Sequence, residues 1–180
     1  MLPLKNTLLK KLLLNIFYLF FACSGFGQIA GNLVPNYSFE QHDTCPSDQG
    51  QITYAIGWSS SGNTPDYFNA CATYYDFSVP YNWGGYKQAA TGNAYCGIGT
   101  YCTCGANGRE FMIAPLTTPL IIGNTYFVSF KTSLSISDSI CANCATNKIG
   151  ALFSMIYYDY NNTAPINNFA QIYTNTRTYP

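Results

Sequence analysis

Nowhere in this chain do apolar residues recur at i, i+3, i+4 and i+7 between charged flanks, the spacing that a surface helix needs. Short runs of period two recur instead. Tyr126, Val128, Phe130, Thr132 and Leu134 alternate with Phe127, Ser129, Lys131 and Ser133. Ile149, Ala151, Phe153, Met155 and Tyr157 do the same within 148–158. Such alternation puts one side chain in two on each face of a pleated strand. Shorter candidates are 51–58, 94–101 and 109–116, with weaker ones at 33–39 and 169–174. Turn clusters separate them: Ser59-Ser60-Ser61-Gly62-Asn63, Gly105-Ala106-Asn107-Gly108, Gly123-Asn124 and Asn161-Asn162. The pattern predicts an all-β fold, an antiparallel sandwich of short strands.

Composition narrows the class further. Charged residues are 9% of the 180, against 17% aromatic. Helical bundles and coiled coils need many charged side chains on their exposed faces, and this chain has too few. Eight Lys and Arg cannot neutralise a row of phosphates, so a nucleic-acid partner is excluded. The aromatic content also excludes a disordered chain, because there is ample apolar surface to bury.

Residues 1–27 have the parts of a secretory signal: Lys5, Lys10 and Lys11, then apolar Leu12 to Ala22, then Gly25-Phe26-Gly27 before Gln28. The apolar stretch is too short to span a bilayer, which takes about 20 residues. A lipidated Cys23 is an alternative, although Phe20-Phe21-Ala22 departs from the usual lipobox. Cleavage removes three of the eight basic groups and no acid, leaving five against eight, a formal charge of −3 for 28–180. Of the eight Cys it removes only Cys23. Export to an oxidising compartment makes disulfides the default for the rest, and their odd number leaves one unpaired.

The opening Asn32-Leu33-Val34-Pro35-Asn36-Tyr37-Ser38-Phe39-Glu40, followed by Gly57-Trp58, resembles the first strand of galactose-binding-like jelly rolls, including carbohydrate-binding modules. Further matches are similar to secreted Bacteroidetes surface proteins: Thr64-Pro65-Asp66-Tyr67-Phe68-Asn69-Ala70-Cys71, Gly85-Tyr86-Lys87-Gln88, Gly92-Asn93-Ala94-Tyr95-Cys96-Gly97 and Arg109-Glu110-Phe111. The resemblance covers most of 31–160. It implies a jelly-roll β-sandwich at the N-terminus of a larger surface protein bearing a sorting or peptidoglycan-binding domain. It also implies a structural calcium near Glu40, with an ordinary hydrogen-bonded Glu as the alternative. A jelly roll uses about eight strands, more than are found here, so residues 28–180 are expected to be a domain truncated at its C-terminus. The edge left open favours aggregation.

Catalysis finds little support. His42 beside Asp43 is the only His, no Gly-x-Ser-x-Gly elbow accompanies it, and the eight acids of 28–180 fall mostly in turns. The cysteines say more. Cys45 and Cys71 flank the segment holding Trp58 and are expected to pair. Cys102-Thr103-Cys104 and Cys141-Ala142-Asn143-Cys144 fall in loops that strand parity brings to one end of the sheets. Two loop-to-loop disulfides or one four-thiolate zinc site both fit, and export favours the disulfides. Cys96 is then the odd thiol, a small hydrophobe with no chemistry.

Pro80-Tyr81-Asn82-Trp83-Gly84-Gly85-Tyr86 sets three large aromatics among loop residues. Flat aromatic faces stack on the apolar faces of sugars, so Tyr81, Trp83 and Tyr86 are the candidate ligand-binding residues. Plugging of the core by Trp83 and Tyr86 is the competing expectation, with Tyr86 the expected core residue of the three. The expected role is a secreted or cell-surface, non-catalytic binding or adhesion module for a glycan or other surface polymer, with no membrane span after signal cleavage. A structural spacer is the second expectation.

Overall fold

The computed structural model describes residues 31–61, 64–100, 109–137, 146, 148–158 and 170–173. The chain divides at Gly31–Asn32, and the fold described belongs to the second part. Among these described residues, eight short strands and two turns of 3-10 helix follow one another: η1 (Ile52–Tyr54), β1 (Ser59–Ser60), β2 (Asp66–Asn69), η2 (Tyr75–Phe77), β3 (Tyr81–Asn82), β4 (Gly85–Tyr86), β5 (Ala94–Gly97), β6 (Met112–Ile113), β7 (Gly150–Ala151) and β8 (Ile172–Tyr173). They pair as four antiparallel two-stranded ladders, β1–β6, β2–β5, β3–β4 and β7–β8. The fold is therefore all-β. Among the described residues the ladders do not extend into the larger sheets of a sandwich. Nor is any described helix long and apolar enough to cross a membrane.

The longest ladder, β2–β5, pairs Asp66 with Gly97, Tyr67 with Cys96, Phe68 with Tyr95 and Asn69 with Ala94. All four residues of β2 are buried. On it sits the core of Ile52, Ala55, Tyr67 and Ala94, with Phe39, Tyr54, Trp58 and Cys96 packed around. The Tyr67 hydroxyl donates to the Phe39 carbonyl at 2.8 Å and accepts from Asn69 Nδ2 at 2.7 Å. Burial accounts for the raised Tyr67 pKa, pushed up to about 12.

Several expected strands take other shapes, each for a local reason. The 33–39 segment turns instead of extending. Pro35 enters the turn, Asn36 and Phe39 have φ of 42° and 62°, and Phe39 N–H donates to the Asn36 carbonyl at 2.9 Å. Asn tolerates this left-handed backbone, and its amide ties the turn down, donating to the Gln41 and Ile56 carbonyls at 2.7 and 3.0 Å. Trp58 packs on Phe39 with ring centroids 4.7 Å apart, its Nε1–H donating to the Asn36 carbonyl at 3.0 Å. The 51–58 run coils into η1, where Ala55 N–H reaches back to the Ile52 carbonyl at 3.0 Å. Only Ala55 pairs, bridging to His42. The alternating 126–134 run enters no ladder, and 148–158 contributes only β7. Alternation supplies a strand with a face but not with a partner.

Candidate functional site

Two places gather chemistry. The first is the face of the β3–β4 hairpin. Tyr81 and Tyr86 are directly opposite in its register, so their side chains leave on the same side. Their rings meet edge to face at 4.7 Å, and Tyr75 of η2 stacks on Tyr81 at 5.8 Å and 22°. All three are open to water, with 64%, 49% and 43% of Tyr75, Tyr81 and Tyr86 exposed. Gln88 Nε2 donates to the Tyr86 hydroxyl at 2.8 Å, setting an amide at the end of the row.

The hairpin is firmly seated. Asn82 is buried; its Nδ2 donates to the Ser78 carbonyl and its Oδ1 accepts the Gly84 N–H, both at 3.0 Å. Trp83 N–H donates to the Asp76 carbonyl at 3.1 Å, joining the hairpin to η2. From far along the chain, Ser135 Oγ and Ile136 N–H donate to the Gly84 carbonyl at 2.6 and 3.1 Å. Gly85 has φ of 102°, and a Cβ there would overlap the Ile136 side chain, so the turn needs glycine on both counts.

The expected order of burial within the hairpin is reversed. Trp83 lies in the turn and folds inward onto Phe68, with centroids 6.3 Å apart and its Nε1–H buried with no hydrogen-bond partner among the described residues. Tyr86 is the residue held outside. Cross-strand pairing decides this: the partner of an outward Tyr81 must also face outward, whatever its size. Tyr75 was not anticipated. Its signal was the pair Tyr74-Tyr75 ahead of Asp76, in a segment with no period of its own.

Beneath Trp83 lies a buried carboxyl. Asp66 is 6% exposed and accepts the Gly50 N–H at 2.7 Å. Burial pushes its pKa from 3.8 to about 6, against the lowering influence of that hydrogen bond; Glu110 and Asp48 add like charge, and the neighbouring Trp83 indole partly offsets them. That indole favours the carboxylate through its dipole while standing outside hydrogen-bonding geometry. Glu110 is itself tied, accepting from Thr64 Oγ1 at 3.1 Å and the Gly99 N–H at 2.6 Å. The free Cys96 has its sulfur turned inward although the residue as a whole is only half-buried. Desolvation first, then the charges of Asp66 and Glu110, push its thiol far up. Such a thiol stays protonated at neutral pH and is a poor nucleophile.

The second place is around Cys45 and Cys71. They form a disulfide with Cα atoms 5.6 Å apart. His42 lies against it, Nε2 being 3.4 Å from Cys71 Sγ and 3.8 Å from Cys45 Sγ. Among the described residues this trio forms a close group of potential metal-ligating atoms, all within 4.8 Å of one another. The sequence carried a signal for it in the His42-x-x-Cys45 spacing, which reading His42 with Asp43 as an acid–base pair passes over. Glu40 stands apart from that group. Its Oε1 accepts the backbone N–H groups of Asn93 and Ala94 at 2.8 and 3.0 Å, and a Cβ on Gly92 would overlap its carboxylate. One oxygen of the expected calcium ligand is thus engaged in joining the first turn to β5. Cys102, Cys104, Cys141, Cys144 and the signal segment 1–27 lie outside the described residues.

No protein family, curated protein or solved structure matches the chain.

Proposed function

We propose that the chain is an exported, non-catalytic binding or adhesion module that holds neutral glycans of a cell surface or extracellular polymer on the tyrosine row Tyr75–Tyr81–Tyr86. The single observation behind this reading is the row itself: three mutually packed aromatic rings with their edges or faces open to water. Solvent-exposed aromatic groups in contact with one another lose little entropy when a ligand arrives, because each already restrains the next. Their apolar faces suit the C–H faces of pyranose rings, while Gln88 and the three phenol hydroxyls offer hydrogen bonds to sugar hydroxyls. The hairpin's anchoring through Asn82 and Ser135 keeps this surface preformed.

The jelly-roll sandwich, the calcium near Glu40, the surface location and a larger parent protein belong to the same proposal, on the strength of the resemblance and the signal-like N-terminus. In it, Tyr81 and Tyr86 are the ligand-binding residues. Trp83 supports them from below by packing on Phe68. Affinity electrophoresis through soluble polysaccharides, backed by a glycan array, tests the reading. Retardation of the wild-type protein should be lost in Tyr81→Ala and weakened in Tyr86→Ala, with circular dichroism unchanged. A wild-type protein that no glycan retards defeats the proposal and leaves the spacer role, which requires no ligand.

A further inference from the structure

We infer that His42, Cys45 and Cys71 are a redox-gated binding site for a thiophilic divalent cation of the zinc type. The argument is independent of the glycan reading and starts from the imidazole. His42 Nδ1 lies 3.0 Å from the Glu40 carbonyl oxygen, which can only accept, and 3.5 Å from Asn69 Nδ2, which can only donate; the shorter contact assigns the proton to Nδ1 and the lone pair to Nε2. Nε2 is the ring nitrogen that contacts both sulfurs. A ring N–H donated to a backbone carbonyl is the usual way in which a metal-binding histidine is oriented.

The distances fit the coordination polyhedron. Zinc–sulfur bonds of about 2.3 Å and zinc–nitrogen bonds of about 2.0–2.1 Å at the tetrahedral angle put nitrogen and sulfur about 3.6 Å apart. The two Nε2–Sγ separations here are 3.4 and 3.8 Å. Two of the three edges between ligand atoms are therefore close to zinc geometry with the disulfide still closed. The third edge, sulfur to sulfur, must open to about 3.8 Å. Contacts other than the disulfide hold each backbone, so the framework stays in place when the bond opens. His42 bridges to Ala55. Cys45 is followed by Pro46, which is fully buried. Cys71 N–H donates to Asn69 Oδ1 at 2.9 Å, and Ala70 N–H donates to the Asn93 carbonyl at 3.0 Å. All three residues are half-buried, so a reductant and an ion can reach them.

The chemistry balances as follows. A small dithiol transfers two electrons and two protons to the Cys45–Cys71 bond, becoming a cyclic disulfide and leaving two thiols. A divalent cation then displaces both thiol protons to solvent and takes Sγ of Cys45, Sγ of Cys71 and Nε2 of His42, with its fourth position open to water. A small cyclic disulfide takes the two electrons back from the thiolates, with two protons from solvent, becoming a dithiol as the Cys45–Cys71 bond re-forms and the ion is released. The closed disulfide provides no thiolate, so binding is confined to the reduced state.

The test uses the full chain with Cys102, Cys104, Cys141 and Cys144 replaced by Ser, so that no other paired cysteines compete. Cobalt(II) serves as the spectroscopic probe, and zinc(II) as its competitor. The phosphine-reduced protein should develop thiolate-to-cobalt absorption saturating at about one ion per chain, and zinc should abolish it. The oxidised protein should show none. His42→Ala should weaken binding about 10- to 100-fold. His42→Asn retains an N–H donor toward the Glu40 carbonyl while removing the ligand nitrogen, so it should bind as weakly even if His42→Ala does not fold. Absence of thiolate–cobalt absorption after reduction, or a folded His42→Asn protein that binds as tightly as its parent, overturns the site.

Discussion

Replacing Asp66 by Asn should make the protein more stable at neutral pH and less so, relative to wild type, in acid. The amide keeps an oxygen for the Gly50 N–H and discards the charge that burial disfavours. In the wild type the folded-state pKa of about 6 exceeds the unfolded value of 3.8, so the folded protein holds this proton more tightly. Its contribution to stability is therefore fully present below pH 3.8 and is lost as pH rises through about 6. The difference corresponds to an upper limit of about 3 kcal/mol. Asp66 opens β2 at the end of its ladder, and local relaxation on ionisation reduces the figure to roughly 1–2 kcal/mol. Urea unfolding followed by the fluorescence of Trp58 and Trp83 measures it at steps from pH 4 to pH 8. The stability difference, variant minus wild type, should climb by roughly 1–2 kcal/mol across that range, with most of the rise between pH 4 and about 6.5. A flat difference, or one that falls as pH rises, would refute the assignment of Asp66 as a desolvated carboxyl.

Other expectations are as specific. The Cys45–Cys71 bond spans 26 positions, so loop-closure entropy sets the cost of Cys45→Ser with Cys71→Ser at about 3.5 kcal/mol; a loss below about 1 kcal/mol in chemical denaturation would mean that the unfolded chain is little constrained by it. Tyr67→Phe deletes the donor to the Phe39 carbonyl and the nearer acceptor of Asn69 Nδ2, and should lower unfolding free energy by about 1–3 kcal/mol. Glu40→Ala leaves the Asn93 and Ala94 N–H groups without their acceptor, so hydrogen exchange at those two amides should quicken more than elsewhere in β5. Ile122, Phe127 and Met155 are almost wholly exposed, which predicts self-association that grows with concentration; a single monomeric species by sedimentation over a hundredfold range of about 1 µM to 100 µM would contradict it.

The all-β class was legible in the sequence because alternation and Gly/Asn punctuation are local signals. So was the Cys45–Cys71 bond, from flanking positions and the expectation of export. Pairing was not legible. Ser59 meets Ile113 and Asp66 meets Gly97 across intervals that no local pattern encodes. The first turn was misread for a related reason: its apolar residues Val34 and Phe39 suggested a strand, whereas Asn36 forms hydrogen bonds to Gln41 and Ile56 that only the folded chain brings within reach. At the tyrosine row, side-chain identity indicated an aromatic-rich loop but neither the hairpin nor its facing, since one residue of register exchanges the two sides. His42 was hardest to place, because its significance depends on Cys71, 29 positions away.

The Glu40 anchor, the Cys45–Cys71 bond, the core residues and the β2–β5 ladder all lie between residues 39 and 97. A chain made from its N-terminus can therefore complete its most buried part while everything after Gly97 is still being synthesised. β1 must wait for Met112 and Ile113, Thr64 for Glu110, and the Gly84 turn for Ser135 and Ile136. Domains that fold in this order shelter their slow, long-range pairings early and shorten the time in which unpaired strand edges meet other chains. The apolar residues left open at Ile122, Phe127 and Met155 emerge after Gly97, when the residues of that nucleus have already been made. Order of emergence thus gives this charge-poor chain a protection against misassembly that its surface composition does not provide.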